Sequence, residues 1–125
     1  MRKWIAVSFA LVIIVALVAC GGRQASLVGR WEVTRYPNSR TQQLIDSGQA
    51  SIYFEFFRDG RLSITEEDSF ETDIEWWNWS SDSSGTMRMW WRENDASDYS
   101  YQISAGSQLI LTDHRGNALH LRRLR

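Results

Sequence analysis

From residue 27 onward, apolar and polar side chains alternate with a period of two, and clusters of Gly, Asp, Asn and Ser interrupt the alternation roughly every ten positions. A β-strand points successive side chains to opposite faces, so this rhythm specifies half-buried antiparallel strands and not amphipathic helices. Strands are predicted over 27–35, 51–57, 61–66, 70–79, 86–93, 98–104, 108–113 and 117–124. Tight turns join most of them at Asp59-Gly60, Ser83-Ser84-Gly85, Ala105-Gly106 and Arg115-Gly116-Asn117, where glycine takes positive φ without steric cost. The first connection is longer. Within 36–50, Ser39 and Gln42 have the spacing of a capping box and Gly48 supplies a stop, which predicts a short helix. Strands joined in sequence form a meander, and closing the last onto the first removes both exposed edges. The predicted fold is therefore all-β: an eight-stranded antiparallel up-and-down barrel with one short helix between strands 1 and 2.

Parity then assigns each side chain to lumen or surface. The inward set is bulky, with Trp31, Phe54, Phe56, Leu62, Ile64, Trp76, Met87, Met89, Trp91, Tyr99 and Tyr101 among its members. An eight-stranded barrel is just wide enough to be filled by such residues or to hold one small ligand. The place left for a ligand is an open end lidded by 36–50, with Trp76, Met89, Trp91, Tyr99 and Tyr101 as candidate contacts. In segment 70–79, Glu71, Asp73 and Glu75 share a face with Trp77 and Trp79. Carboxylates are costly to bury, so this face is expected outward, with Phe70, Ile74 and Trp76 inward. A hairpin through Ser81 to Gly85 would set Trp79 opposite Arg88, Trp77 opposite Trp90 and Glu75 opposite Arg92. The resulting outer face of Tyr53, Trp77, Trp79, Arg88 and Trp90 is a candidate docking surface for a protein or glycan.

Residues 1–26 differ in character. Arg2 and Lys3 precede an apolar run over 4–19, interrupted only by Ser8, which ends at Cys20-Gly21-Gly22. That is the order of a secretory signal, and the 16 residues of the run fall short of the ~20 that a membrane-spanning helix needs. Leu17-Val18-Ala19-Cys20 closely resembles the lipobox of bacterial lipoproteins, which implies cleavage before Cys20 and acylation of its thiol and new amine. Two or more acyl chains anchor stably where one does not. The expected organisation is a signal peptide at 1–19, a lipidated Cys20 and short tether at 20–26, and the barrel domain at 27–125. The expected location is extracytoplasmic, anchored to a bacterial membrane; Gly21 after Cys20 resembles outer-membrane sorting where the host has an outer membrane.

Removing Arg2 and Lys3 from the 14 cations leaves 12, all arginine, against 15 carboxylates, a net charge of −3. A nucleic-acid partner is not expected from that balance. One cysteine excludes an intramolecular disulfide scaffold and a multi-cysteine metal site. His114 and His120 fall in a turn and on the outer face of the last strand, and no nucleophile elbow, phosphate loop or calcium-loop spacing is present. The expectation is a protein without catalytic residues, metal or cofactor.

Gly29-Arg30-Trp31 at the start of the first strand resembles the Gly-x-Trp signature of lipocalins and other calycins. More specifically, Leu27-Val28-Gly29-Arg30-Trp31-Glu32-Val33, Phe54-Glu55-Phe56-Phe57-Arg58-Asp59-Gly60-Arg61 and Gln108-Leu109-Ile110-Leu111-Thr112-Asp113 are similar to segments of small bacterial lipocalin-like domains that follow lipoprotein signals. The resemblance implies a barrel-closure signature of Gly29, Trp31 and a last-strand arginine. Arg123 shares its face with Leu119 and Leu121 and is the arginine in phase. The partners expected are thus a membrane through Cys20, a small hydrophobic or amphipathic ligand, or an envelope protein or glycan.

Overall fold

The structure, a computed structural model, describes residues 27–105 and 107–124; Cys20 and the expected signal peptide and tether lie outside the described residues. Eight strands follow in order: β1 Gly29–Arg35, β2 Ala50–Phe56, β3 Arg61–Asp68, β4 Thr72–Ser81, β5 Thr86–Trp90, β6 Ser97–Ser104, β7 Gln108–Thr112 and β8 Ala118–Arg123. Each pairs antiparallel with its neighbour, and β8 returns to β1, which closes the barrel. One helix, α1 (Ser39–Asp46), lies between β1 and β2, and a single 3-10 turn, Glu93–Asp95, follows β5. The expected architecture and element order are those observed.

The helix starts one residue earlier than the capping-box spacing suggested. Asn38 is the N-cap, its side-chain oxygen accepting from the amides of Arg40 and Thr41. Gln42 reaches further back: its Oε1 accepts from the amide of Tyr36 at 2.6 Å and its Nε2 donates to the carbonyl of Thr34 at 3.2 Å. These bonds satisfy otherwise orphaned backbone groups and tie α1 to the end of β1. At the other end, Gly48 at φ 76° donates to the Ile45 carbonyl.

Three hairpins share one turn chemistry. Phe57 donates to the Arg61 carbonyl, Asp82 to Thr86 and Asp113 to Asn117, each closing a three-residue loop whose last member is a glycine at positive φ: Gly60 (91°), Gly85 (95°) and Gly116 (85°). This is the hairpin in which a left-handed residue follows a type I turn. The Asp82 carboxylate accepts from the Ser84 hydroxyl and the Thr86 amide, and Asp113 accepts from the amides of Asn117 and Arg115; these bonds hold both carboxyls below the ordinary value of 3.8. A folded pKa depressed in this way contributes stability that is present above the unfolded value and lost as pH falls through the folded one. The urea midpoint should therefore be flat from neutrality down to about pH 5 and fall below about pH 4, and Asp82→Asn combined with Asp113→Asn should shallow that acid limb. An unchanged limb in the double variant would place the acid sensitivity elsewhere.

The loop at Gly85 also corrects the parity of β4. A four-residue connection would have set Trp79 opposite Arg88; the three-residue loop sets Trp79 opposite Met89, Ser80 opposite Arg88 and Asn78 opposite Trp90. A shift of one residue exchanges the two faces of a strand. Trp79 accordingly lies in the core at 6% exposure, its ring edge-on to Phe56 at 5.2 Å and its Nε1 donating to the Phe57 carbonyl at 2.9 Å. Trp77 is half-buried on the same side, opposite Leu62. Neither is a surface residue. Glu75 follows the same parity, opposite the inward Ile64, contrary to the rule that carboxylates face out. It escapes the burial penalty because this half of β4 borders an open end, where Asp73 and Glu75 remain exposed. Conversely, Ile74 and Trp76 stand on the outer surface, Trp76 at 51% exposure.

The core fills one end. Trp31, Phe56, Leu62, Trp79, Met87, Leu109 and Leu121 are buried there with Leu27. At the other end, reached by the last residues of β1 and β3 and the first of β2 and β4, lies α1.

Candidate functional site

The closed end is held by a clasp between the first and last strands. Trp31 and Arg123 are register partners, and the guanidinium lies 4.2 Å from the centroid of the indole. Arg123 Nη1 donates to the Val28 carbonyl at 3.0 Å, and Trp31 Nε1 donates to the Leu27 carbonyl at 3.0 Å. A desolvated cation–π contact of this kind contributes roughly 0.5–2 kcal/mol. Gly29 permits it: its φ is 135°, and a Cβ there would lie 2.8 Å from Arg123 Nη1. With bulky residues packed above it, this end is a sealed floor.

The helix end is open. A cavity of about 580 Å³ lies between α1 and the start of β2, the end of β3 and the β3–β4 turn. Thr41 and Leu44 from α1, Tyr36 from the connection before it, Ile52 from β2 and Phe70 from the turn give it apolar and aromatic walls. Glu66, Glu67 and Asp68 from β3 form its rim. Ile52 and Glu66 are register partners and share the lumen face, so the cavity is the mouth of the barrel and α1 its partial cover. The turn is shaped by Asp68, whose Oδ1 accepts from the amides of Phe70 and Glu71, both at 2.8 Å; these bonds lower its pKa and keep it charged. They also end β3 and delay β4 to Thr72, leaving Phe70 at 96% exposure beside the mouth. The volume lies within the range of small-molecule pockets.

The residues picked as ligand contacts lie elsewhere. Met89 is buried in the core. Trp76 is on the outer wall, and Trp91, at 56% exposure, has left the sheet because β5 stops at Trp90; Arg92 stacks on it at 4.6 Å. Tyr99 and Tyr101 are half-buried and face the lumen, opposite Met87 and Leu111 respectively, and burial raises the Tyr99 phenol above its ordinary value. Tyr101 donates its hydroxyl to the Asp82 carbonyl at 3.2 Å. None of the five lines the mouth. Its walls come largely from the 36–50 connection and from residues flanking the β3–β4 turn, where period-two reasoning assigns no face.

The outer surface carries a second concavity, of about 320 Å³, across β2, β3 and β4. Ser63 and Thr65 floor it between Tyr53 and Phe57 on one side and Ile74 and Trp76 on the other. Arg61 lies over both Phe57 (5.2 Å) and Trp76 (5.4 Å), and Arg30 over Tyr53 (4.6 Å). Of the surface picked from sequence, Tyr53 belongs here. Arg88 instead pairs with Asp98 at 2.8 Å, and Trp90 is half-buried opposite Asn78. Among the described residues, no group of three His, Cys, Asp or Glu side chains converges to hold a metal.

No family model and no curated protein matches the chain. Among solved structures, a Schistosoma mansoni fatty acid binding protein in complex with arachidonic acid is similar, with a TM-score of 0.46 and 11% identity over 82% of this chain and 98% of that one. The likeness is one of barrel architecture.

Proposed function

We propose that the chain is a lipid-anchored protein of the bacterial envelope whose barrel binds a small hydrophobic or amphipathic molecule at its helix-covered mouth. The observation that carries this reading is the cavity of about 580 Å³ between α1 and the strand ends, walled by Leu44, Ile52, Tyr36 and Phe70. The sealed Trp31 floor leaves that end as the way in. Cleavage before Cys20, acylation of Cys20 and a tether over 20–26 complete the proposal; the lipobox-like Leu17-Val18-Ala19-Cys20 supports them. The role is binding and not catalysis: His114 sits in an exposed turn and His120 in the outer row of β8, and neither is among the residues that line the cavity.

The test is calorimetry on the full chain in phosphatidylcholine nanodiscs, with empty discs as blank and 1-octanol as the neutral apolar probe. Leu44→Trp places bulk in the cavity without entering the core and should weaken binding by about tenfold, the equivalent of roughly two methylenes of lost contact. Octanol binding that is indifferent to Leu44→Trp would reject the mouth as the site.

A second reading retains a specific observation. The outer concavity presents Phe57, Ile74 and Trp76 in one patch beside Arg61, which suits an interaction module docking a protein or glycan. It rests on those residues and Tyr53, not on Trp77 and Trp79. Octanol failing to bind at all would favour it.

A further inference from the structure

The mouth of the barrel is apolar within and uniformly negative at its edge. Glu66, Glu67 and Asp68 line it, and none of its lining residues is Lys, Arg or His. Glu66 stands directly opposite Asp73 in the β3–β4 ladder, and like charges so placed are destabilising. The ion pairs Arg61–Asp59, Arg88–Asp98 and Arg122–Glu32 engage carboxylates elsewhere. Asp68 is satisfied by the amides of its own turn, whereas the side chains of Glu66 and Glu67 have no hydrogen-bond or ion-pair partner among the described residues. These carboxylates are too dispersed to chelate a metal, so the charge suits a diffuse organic cation. The rings of Tyr36 and Phe70, also at the cavity, offer the faces on which such a cation is further stabilised.

We infer that the cavity selects cationic amphiphiles: the ammonium head sits at Glu66, the carboxylate that shares the lumen face with Ile52, beside Tyr36 and Phe70, and the apolar body lies against Leu44 and Ile52. This inference rests on the mouth being the ligand site. A carboxylate-headed lipid would bring a fourth negative charge to the same rim and is disfavoured by the same field.

Three probes of equal chain length separate the two claims, again by calorimetry on the full chain in phosphatidylcholine nanodiscs: octyltrimethylammonium, 1-octanol and octanoate. The expected order of affinity is cation, then alcohol, then carboxylate, with the cation favoured over the alcohol by about tenfold at low salt and less at about 0.5 M NaCl. Glu66→Gln should bring the cation-to-alcohol ratio close to one; the salt series on the unaltered chain gives an independent reading should that variant fold poorly. Octanol binding with octanoate equal to or tighter than the ammonium probe overturns the charge selectivity and leaves the ligand site standing. Binding of none of the three overturns both.

Discussion

Trp79→Ala should lower the unfolding free energy by about 3–5 kcal/mol, the usual cost of truncating a fully packed tryptophan, because the indole leaves a cavity against Phe56 and the Phe57 carbonyl keeps only the Gly60 amide of its two donors. Trp76→Ala, three residues earlier and on the outer wall, should change it by less than about 0.5–1 kcal/mol. Urea unfolding followed by far-ultraviolet circular dichroism measures both. The contrast reads out the faces of β4 directly: equal losses, or a larger loss at Trp76, would mean that the strand is paired one residue out of the register described.

The second large effect concerns the clasp. Gly29→Ala should destabilise by about 1–3 kcal/mol, since a side chain is strained at φ 135° and its Cβ displaces Arg123 from the indole. The two contributions separate in a double-mutant cycle. With Arg123→Ala as background the steric part disappears and only the backbone strain remains, so Gly29→Ala should cost less there than in the unaltered chain. A cost independent of Arg123 would show that the close approach carries no energy.

How far the chain explains itself differs between its parts. The strand order, the closure and the short helix follow from alternation punctuated by glycine turns, because the backbone has few ways to obey a period of two over eight segments. The faces of β4 do not follow. They hinge on whether the loop before Thr86 has three residues or four, and on the premise that Glu71, Asp73 and Glu75 must look outward. That premise holds for a sealed lumen. Here the strand begins at an open rim, where a carboxylate can occupy the lumen side and stay wet, while Trp79 at the far end of the same face is dry. One strand thus crosses from solvent to core along a single face, and a pattern of residue types cannot reveal the crossing point.

The mouth was legible only as a possibility. The 36–50 connection was long enough to form a lid, but its wall residues Tyr36, Leu44 and Phe70 belong to a connection, a short helix and a turn, where no alternation constrains them. Their convergence depends on Gln42 anchoring α1 to the Tyr36 amide and the Thr34 carbonyl, and on Asp68 folding the β3–β4 turn. These are local bonds of individual polar side chains, and similar residues at many other positions make no such contact.

The seam between β1 and β8 also governs the order of assembly. Trp31 and Arg123 meet across almost the whole length of the described chain, so the ring-closing seam they belong to carries a larger loop-closure entropy than the other strand pairings among the described residues. A polypeptide emerging amino end first must hold β1 with one edge bare until its final strand arrives, and loss of β8 would expose two unpaired borders at once, on β1 and β7.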